Sequence, residues 1–403
     1  MAEDLYDVVV VGGGLVGLAT ARALLLSRPE LKIAVAEKED AIAKHQSSHN
    51  SGVVHAGVYY APGSNKARFC TAGRLALEEY AAERGIPLER LGKLVVAVRE
   101  DELGRLEGLA KRAEQNGLTD LEMLDAAGLR HHEPHVAGLR ALRVPQTGVV
   151  DFARVAQEYA ADVRAAGGLI ALSSPLQSVT HRSDGLELRV GGREVHARYL
   201  VTCAGLQSDR VARLAGVDPG VSIVPFRGDW YTLAPRAAAL VKSMVYPVPN
   251  PELPFLGVHL TRRIDGAVWA GPNAVLSLAR EGYGRRDFER HDTADVLRDK
   301  GFRRLAKRWW RTGAGELWRA TSRRAYLKSV LPYLPELRLS DLESHTSGIR
   351  AQAVARDGSM VDDFHLVEGS RALHVVNAPS PAATASLAIG NHLAERALAG
   401  LAS

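Results

Sequence analysis

The chain has 403 residues, of which 46% are hydrophobic, and its 51 basic and 46 acidic residues give a formal net charge of +5. This length and hydrophobic content predict a globular protein with a large core, and they favour two domains over one. The opposite charges are interspersed and form no basic arm, so nucleic-acid binding is not expected.

The sequence also limits targeting and metal chemistry. Residues 1–6 leave no room for a secretory signal before the first strand, and no uncharged apolar run approaches the roughly 18 residues of a membrane-spanning helix. We therefore expect any membrane contact to be peripheral. Cys70 and Cys203 lie far apart without metal-ligand or redox spacing, which predicts reduced thiols in a cytoplasmic protein and no metal site.

The N-terminal segment predicts a βαβ unit. Asp7–Val11 (DVVVV) is typical of a strand buried on both faces of a parallel sheet, a helical pattern covers Leu15–Leu26, and Lys32–Ala36 (KIAVA) is the next strand. Later segments of the same character are a helix at Asp151–Ala166, strands at Leu186–Val190, Glu194–Ala204 and Ala372–Val376, and a final helix. We assign them to the same α/β domain.

A second group of segments predicts an antiparallel sheet, because they are short or alternating and are flanked by proline and glycine. They are Lys93–Val98, Ile223–Leu233, Phe255–Leu260 and Ala267–Ala270, followed by a charged helical stretch over Asp287–Leu331. The fold class is therefore α/β with two domains. The first comprises 1–90, 140–220 and 345–403, and the second comprises 91–139 and 221–344.

A glycine motif identifies the function of the first domain. Gly12, Gly14 and Gly17 fit the G-x-G-x-x-G pattern between a strand and a helix, and Glu37 ends the second strand about 20 residues later, as a dinucleotide site requires. The first glycine allows the turn, the second lets backbone approach the pyrophosphate, and the third allows close helix packing. Phosphates bind at the helix N-terminus, and the carboxylate accepts hydrogen bonds from the ribose.

The segment after the second strand favours FAD over NAD. His45–Tyr60 (HQSSHNSGVVHAGVYY) is polar and rich in hydrogen-bonding side chains, as the lining of a flavin site must be. An NAD-dependent dehydrogenase is the alternative.

Four segments carry a family resemblance: HQSSHNSGVVHAGVYYAPGS (45–64), VPFRGDWYTL (224–233), GVHLTRRIDGAVWAGPNA (257–274) and VVNAPSPAATASLAIG (375–390). The chain resembles the L-2-hydroxyglutarate dehydrogenase or oxidase branch of the D-amino-acid oxidase-like flavoproteins. This resemblance implies a Rossmann-like FAD domain, an antiparallel sheet over the flavin ring, and oxidation of L-2-hydroxyglutarate to 2-oxoglutarate. The implied FAD residues are Gly12, Gly14, Gly17, Glu37, Lys38, Ser48, Asn50, Ser51, Gly52, Leu176, Ala204, Gly205, Pro379, Ala382, Ala383 and Thr384.

Removing a hydride and a proton from a hydroxy acid requires a base, which a histidine supplies near neutral pH. His55 lies in the flavin-lining segment and His259 in the presumed substrate sheet, so both are candidates, whereas His45 and His49 are interpreted as polar loop residues. Each candidate could instead be a structural histidine.

A dicarboxylate substrate requires cationic groups, and arginine pairs with carboxylates bidentately. Arg350 lies in a Gly-Ile-Arg segment where related flavoenzymes carry Gly-x-Arg, although Ala351 replaces the usual proline. Arg227 is the alternative, and Tyr59 and Tyr231 are candidate hydroxyl donors. Most arginines, however, are solvated surface residues.

The reduced flavin needs an acceptor, either oxygen or a membrane quinone. Residues 301–313 (GFRRLAKRWWRTG) predict a basic amphipathic helix with Phe302, Leu305, Ala306 and Trp309 on one face, which suits peripheral contact with the inner face of a membrane. Packing of this face on its own domain is the alternative.

Other functions remain open at this point. They are a flavoenzyme of the same superfamily that oxidises another hydroxy acid, glycerol 3-phosphate or an amine, and a non-catalytic FAD-binding protein such as an assembly or tRNA-modifying partner.

Overall fold

Two large sheets organise the computed structural model, which describes residues 5–251 and 256–402. The strands are β1 (Leu5–Val11), β2 (Ile33–Ala36), β3 (Val53–Val54), β4 (Leu88–Glu89), β5 (Lys93–Ala97), β6 (Glu122–Asp125), β7 (Arg140–Val144), β8 (Gly148–Val150), β9 (Leu169–Ala171), β10 (Leu176–His181), β11 (Leu186–Val190), β12 (Arg193–Thr202), β13 (Val221–Leu233), β14 (Met244–Pro247), β15 (His259–Arg262), β16 (Val268–Gly271), β17 (Val275–Leu276), β18 (Leu342–Ala355), β19 (His365–Gly369) and β20 (Ala372–Asn377).

The helices occupy the segments between these strands. They are α1 (Leu15–Ser27), α2 (Asn65–Glu83), α3 (Leu103–Gln115), α4 (Ala126–His132), α5 (Phe152–Ala165), α6 (Ser208–Leu214), α7 (Pro235–Ala238), α8 (Arg290–Arg298), α9 (Lys300–Thr321), α10 (Arg323–Val330) and α11 (Ser386–Ala402). No helix among the described residues combines the length and apolar character needed to cross a bilayer.

The first sheet has β1 at its centre. β1 pairs in parallel with β2 and β12, and the parallel set continues to β9 beyond β2 and to β20 beyond β12. Val8 and Val10 pack in a core with α1, α5 and α11, whereas Val9 and Val11 pack on the opposite face with residues of β11 and β12. Both faces are covered, which explains why this strand is apolar without alternation.

The second sheet has nine strands. β18 pairs with one edge of β13, and β17 and β16 pair with two different segments of its other edge. From β16 the sheet continues in the order β15-β14-β5-β7-β6. Its pairs are antiparallel except for β5 with β14, which run parallel. The predicted antiparallel sheet is thus confirmed with one exception. Phe255, where one predicted strand began, lies outside the described residues, and the strand there is β15.

Strand pairing bears on the domain boundaries. β7 pairs with β5 and β6, and β18 pairs with β13 along its whole length, so both belong to the second sheet. The sequence-based boundaries at 140 and 345 separate these strands from their partners. We propose boundaries just after β7 and just after β18, which keep each sheet within one domain.

Candidate active site

The carboxyl ends of four parallel strands open onto one cavity of about 830 Å³. Gly12 follows β1, Glu37 follows β2, Ala204 lies beyond β12 and Ala378 follows β20, and all four line the cavity. Ligands bind at this edge of open α/β sheets. The cavity extends to the second sheet, where Trp230, Tyr246, His259 and Arg350 also line it. Its volume lies at the upper end of the roughly 300–1,000 Å³ usual for small-molecule and cofactor sites.

The glycine turn has the geometry that a pyrophosphate requires. Gly12 has φ +111°, and a Cβ there would lie 2.3 Å from the carbonyl oxygen of Cys203. A Cβ on Gly17 would lie 2.0 Å from the carbonyl oxygen of Gly12, so α1 packs directly against the turn. Gly14 begins α1 without a side-chain cap. The helix N-terminus therefore faces the cavity, and Gly14 adds no side chain of its own there.

Glu37 lies where a ribose would bind. It is 8% exposed, and its carboxylate accepts hydrogen bonds from the backbone N–H groups of Gly13 at 2.7 Å and Glu39 at 2.9 Å. A carboxylate offers about four acceptor sites, so two bonds leave capacity for the hydroxyls of a ribose. Together with the glycine turn, this donor and acceptor set fits the adenosine half of FAD.

Most of the residues expected to contact FAD line the cavity: Gly12, Gly14, Glu37, Lys38, Asn50, Ser51, Leu176, Ala204, Gly205, Pro379, Ala382, Ala383 and Thr384. Gly17, Ser48 and Gly52 are not among the lining residues. Gly17 lies behind the turn, as its packing role requires. The structure does not bring Ser48 or Gly52 to the cavity wall. The Ser48 hydroxyl donates to the carbonyl of Ala43 at 2.6 Å, and a Cβ on Gly52 would meet the carbonyl of Val150 at 2.8 Å.

Ser47, which the sequence did not single out, takes the place expected for Ser48. It lines the cavity, and its hydroxyl accepts from the N–H of Leu15 at 3.0 Å, so it caps the first turn of α1. The family resemblance implied the adjacent serine. The segment 45–52 forms irregular turns, so no periodicity indicates which of its side chains point inward.

A loop of the second domain that contains Glu281 and Tyr283 contacts Lys38 and His45 of the first domain. Lys38 forms ion pairs with Glu39 and with Glu281, at 2.8 Å to the latter, and His45 lies 3.0 Å from Glu39. The hydrogen bond from Lys38 lowers the pKa of Glu39 to about 2. Glu39, His45 and Glu281 bring potential metal-ligand atoms together, but the ammonium group of Lys38 already forms ion pairs with both carboxylates. The arrangement is a network of ion pairs that joins the first domain to the loop that contains Glu281.

His55 lies where the flavin end of the site would be. Its backbone N–H donates to the hydroxyl of Thr384 at 3.1 Å, and its Nε2 lies 3.4 Å from the hydroxyl of Ser380. Burial lowers the pKa of His55 to about 3, with a smaller contribution from the charge of Lys93. The imidazole is therefore neutral at physiological pH.

His259 on β15 has a defined tautomer. Its Nδ1 lies 3.0 Å from the carbonyl oxygen of Gly257, which can only accept, so the hydrogen is on Nδ1 and the lone pair on Nε2. Its ring stacks on Tyr246 with centroids 3.9 Å apart. Burial lowers the pKa of His259 to about 3. A neutral imidazole with a free lone pair can accept a proton.

Donor groups predominate around these histidines. Arg350 on β18 lines the cavity. Burial lowers the pKa of its guanidinium. The charge of Arg350 acts on the phenol of Tyr246. The hydroxyl of Tyr59 and the indole N–H of Trp230 are both buried, and neither has a hydrogen-bond partner among the described residues. Tyr59 and Trp230 line the cavity through other atoms, so Arg350 is the cationic donor on this part of the wall.

Two of the expected substrate-binding residues do not reach the cavity. Arg227 is 8% exposed, its Nε donates to Asp229 at 2.9 Å and its Nη1 donates to the carbonyl of Gly284. Tyr231 accepts a hydrogen bond from Arg285 and packs in the core of the second domain. Neither residue is among those that line the cavity. The structure does not bring either side chain to the cavity, because hydrogen bonds within the second domain hold both of them elsewhere.

The comparisons with known proteins agree with this geometry. Residues 7–396 match the family model described as FAD dependent oxidoreductase. An L-2-hydroxyglutarate dehydrogenase from Salmonella houtenae is 45% identical over 97% of this chain and 93% of its own, and the mitochondrial L-2-hydroxyglutarate dehydrogenase of Nematostella vectensis is 45% identical over 98% and 91%.

Among solved structures, the FAD-bound L-alpha-glycerophosphate oxidase of Mycoplasma pneumoniae superposes with a TM-score of 0.79 at 23% identity, covering 98% of this chain and 95% of that one. This likeness establishes a shared fold. The chain belongs to the L-2-hydroxyglutarate dehydrogenase family of FAD-dependent oxidoreductases.

Proposed function

We propose that the protein oxidises L-2-hydroxyglutarate to 2-oxoglutarate. The observation that carries this proposal is the end of the cavity where the guanidinium donors of Arg350 lie in the same lining as two neutral histidines, His55 and His259. A hydroxy acid supplies carboxylate acceptors for these donors and a hydroxyl proton for a histidine. FAD, when bound, accepts the hydride from the carbinol carbon at flavin N5.

Arg350 is the group that we assign to the carboxylate next to the carbinol carbon. Its guanidinium can bind a carboxylate bidentately and so fix the orientation of the substrate. Tyr59 and Trp230 also line the cavity.

The base that accepts the hydroxyl proton is either His55 or His259. We favour His259, because its Nδ1 hydrogen bond to Gly257 leaves Nε2 as an acceptor. His55 instead lies between Thr384 and Ser380, which suits orientation of the substrate or the flavin. Both imidazoles are neutral before substrate binds, so neither has to lose a proton first.

Other substrates fit less well. An amine in its ammonium form would bring a cation next to Arg350 and buried donors, which is unfavourable. Glycerol 3-phosphate, another anion, and other hydroxy acids are the stronger alternatives within the superfamily. A non-catalytic FAD-binding protein would hold the flavin without turnover.

An anaerobic absorbance spectrum tests the proposal. We expect L-2-hydroxyglutarate to bleach the flavin band, with D-2-hydroxyglutarate and glycerol 3-phosphate leaving it unchanged. Bleaching by glycerol 3-phosphate alone would reassign the substrate, and a flavin band that none of the three bleaches would favour the non-catalytic function. Absence of any flavin band would favour the alternative of an NAD-dependent dehydrogenase.

We also propose that electrons pass to a membrane quinone, with oxygen as the alternative acceptor. The expected apolar face of 301–313 packs inward, because Phe302, Leu305 and Trp309 contact a buried cluster of the same chain. A different face of α9 is exposed: Trp310 is 63%, Leu317 59% and Trp318 66% exposed. Arg303, Lys307 and Arg311 of the same helix are also exposed. Aromatic residues among cations suit the interface of an anionic membrane.

Co-sedimentation with liposomes containing anionic lipid tests the membrane contact. We expect Trp310→Glu combined with Trp318→Glu to release the protein from the liposomes, whereas Leu26→Glu, on the equally exposed end of α1, retains binding. Unchanged binding of the double variant would exclude this face. Reduction of a soluble quinone analogue that is faster than oxygen consumption would identify the quinone as the acceptor.

A further inference from the structure

Lys93, the first residue of β5, is a buried cation beside the cavity. Lys93 is 2% exposed, and its ammonium nitrogen lies 4.3 Å from the ring centroid of Tyr246 and 5.0 Å from that of Tyr59. No carboxylate forms an ion pair with Lys93 within the described ranges 5–251 and 256–402. Lysine is almost never fully buried without a partner, so two aromatic rings are an unusual environment for it.

The two rings separate Lys93 from the cavity. Tyr59 and Tyr246 line the cavity, whereas Lys93 is not among the lining residues. His259 stacks on Tyr246 in the same wall, and the buried hydroxyl of Tyr59 has no hydrogen-bond partner among the described residues. The charge of Lys93 therefore lies directly behind a wall that a ligand would contact.

We propose that Lys93 is a specificity-determining residue whose charge, acting through the Tyr59 and Tyr246 wall, favours a substrate with a second carboxylate over one with a neutral chain end. A charge in a poorly solvated interior acts over several ångströms with little screening. This proposal rests on the proposed function, since it assigns the second cationic group that Arg227 does not provide. Lys93 acts as a positioning residue, because it does not line the cavity.

The charge of Lys93 titrates in an accessible range. Burial lowers the pKa of Lys93 to about 8. The titratable groups that face it from the elements packed against it are Tyr59 in the turn after β3, Cys70 on α2, Tyr246 on β14, His55 and His259. Burial raises the pKa of Cys70 and of Tyr246 to about 12 and raises that of Tyr59 well above its usual value, and it lowers the pKa values of the two histidines to about 3. None of them changes charge between pH 7 and 9, so Lys93 alone is expected to do so.

The sign of the pH effect follows from this. Below a pH of about 8, Lys93 is cationic and favours the distal carboxylate. Above that pH it becomes neutral and the preference declines. Both carboxylates of a dicarboxylic acid stay ionised over this range.

The test measures how glutarate and pentanoate perturb the absorbance of the oxidised flavin in the holoenzyme. These two ligands differ only in the distal carboxylate, and neither has the hydroxyl that is oxidised. We expect the wild type to prefer glutarate. Lys93→Met should reduce that preference by about 10- to 100-fold, the effect of removing a unit charge several ångströms from the distal carboxylate. Lys93→Arg should retain the preference. Lys111→Met, an exposed lysine on α3, is the matched control and should leave the preference unchanged.

The pH series provides a second readout that does not depend on the methionine variant. The wild-type preference should fall as the pH rises from 6.5 to 9.5, and Lys93→Arg should show no such fall, because arginine does not titrate there. An unchanged preference in folded Lys93→Met, or identical pH profiles for wild type and Lys93→Arg, would overturn the role of Lys93. Failure of the proposed function has a different signature: L-2-hydroxyglutarate would not bleach the flavin, whatever the ligand preference.

Discussion

The imidazole of His259 stacks on the phenol ring of Tyr246 with centroids 3.9 Å apart and an interplanar angle of 25°. This stacking and the hydrogen bond from Nδ1 to Gly257 fix both the plane and the tautomer of the ring. Because Nε2 keeps its lone pair, His259 is prepared to accept a proton without rearrangement.

Replacing His259 with glutamine should therefore slow substrate oxidation. We expect the rate of flavin reduction by L-2-hydroxyglutarate to fall by about 10²- to 10⁴-fold, the usual contribution of a general base. Stopped-flow absorbance under anaerobic conditions measures this rate directly. His55→Gln is the matched comparison and should cause a smaller loss. If His55→Gln slows reduction more than His259→Gln does, the base is His55.

Replacing Arg350 with lysine tests the carboxylate contact. Lysine keeps the positive charge but cannot form two parallel hydrogen bonds to one carboxylate, so we expect KM for L-2-hydroxyglutarate to rise about tenfold or more. Steady-state kinetics with a soluble acceptor measure the change. Arg262→Lys on β15 is the control, since Arg262 donates to the carbonyl of Val241 and does not line the cavity. Equal KM values for the two variants would exclude Arg350 as the carboxylate-binding group.

Replacing Glu37 with glutamine should weaken FAD binding. The variant loses the charge and one of the acceptor oxygens that also organise the N–H groups of Gly13 and Glu39. Hydrogen bonds to charged groups contribute about 1.5–3 kcal/mol, so we expect the affinity to fall by at least about tenfold. Titration of the apoprotein with FAD, followed by flavin fluorescence, measures it. Glu30→Gln, at an exposed ion pair with Arg28, should bind FAD as the wild type does.

The cofactor end of the site was largely predictable from the sequence because its signal is local. A strand, a glycine turn, a helix and an acidic residue follow one another within the first 37 residues, and each element constrains the next. Ser47 and Ser48 show the limit of this reasoning. They are neighbours in an irregular turn, and which of them faces the cavity depends on contacts with α1 and with Ala43.

The substrate end was less predictable because several distant segments build it. Arg227 and Tyr231 lie in a segment that resembles the family, but Asp229 and Arg285 hold them outside the cavity. Lys93 was not singled out, because a lysine at the start of an apolar strand is usually solvated. Its environment exists only once Tyr59 and Tyr246 meet across the fold.

Replacing Gly17 with alanine should destabilise the fold. The new Cβ would lie 2.0 Å from the carbonyl oxygen of Gly12, and backbone cannot move aside as a flexible side chain can. Overpacking of this kind costs about 1–3 kcal/mol or more, so the urea midpoint of the holoprotein should fall. Gly108→Ala in α3 is the matched control. A Cβ at Gly108 meets nothing within 4 Å, so alanine should be neutral or stabilising there. Equal midpoints for the two variants would contradict the close packing of α1.

Acid should destabilise the protein partly through His374 on β20. This residue is 0% exposed, its Nδ1 lies 3.0 Å from the hydroxyl of Thr202, and burial lowers its pKa to about 4. In the unfolded chain its pKa is about 6.5. Between these two values the unfolded state binds the additional proton, so stability is full above pH 6.5 and declines as the pH falls towards 4.

The expected loss attributable to His374 is about 2 kcal/mol in the free energy of unfolding between pH 7 and pH 5. Urea denaturation at both pH values measures it. His374→Gln cannot titrate, so its stability should fall less over the same interval, even if it is less stable than the wild type at pH 7. The remaining fall in the variant reports other groups, including His55 and His259, whose pKa values are also lowered. A variant that loses as much stability as the wild type would show that His374 takes up its proton equally well in the folded and unfolded states.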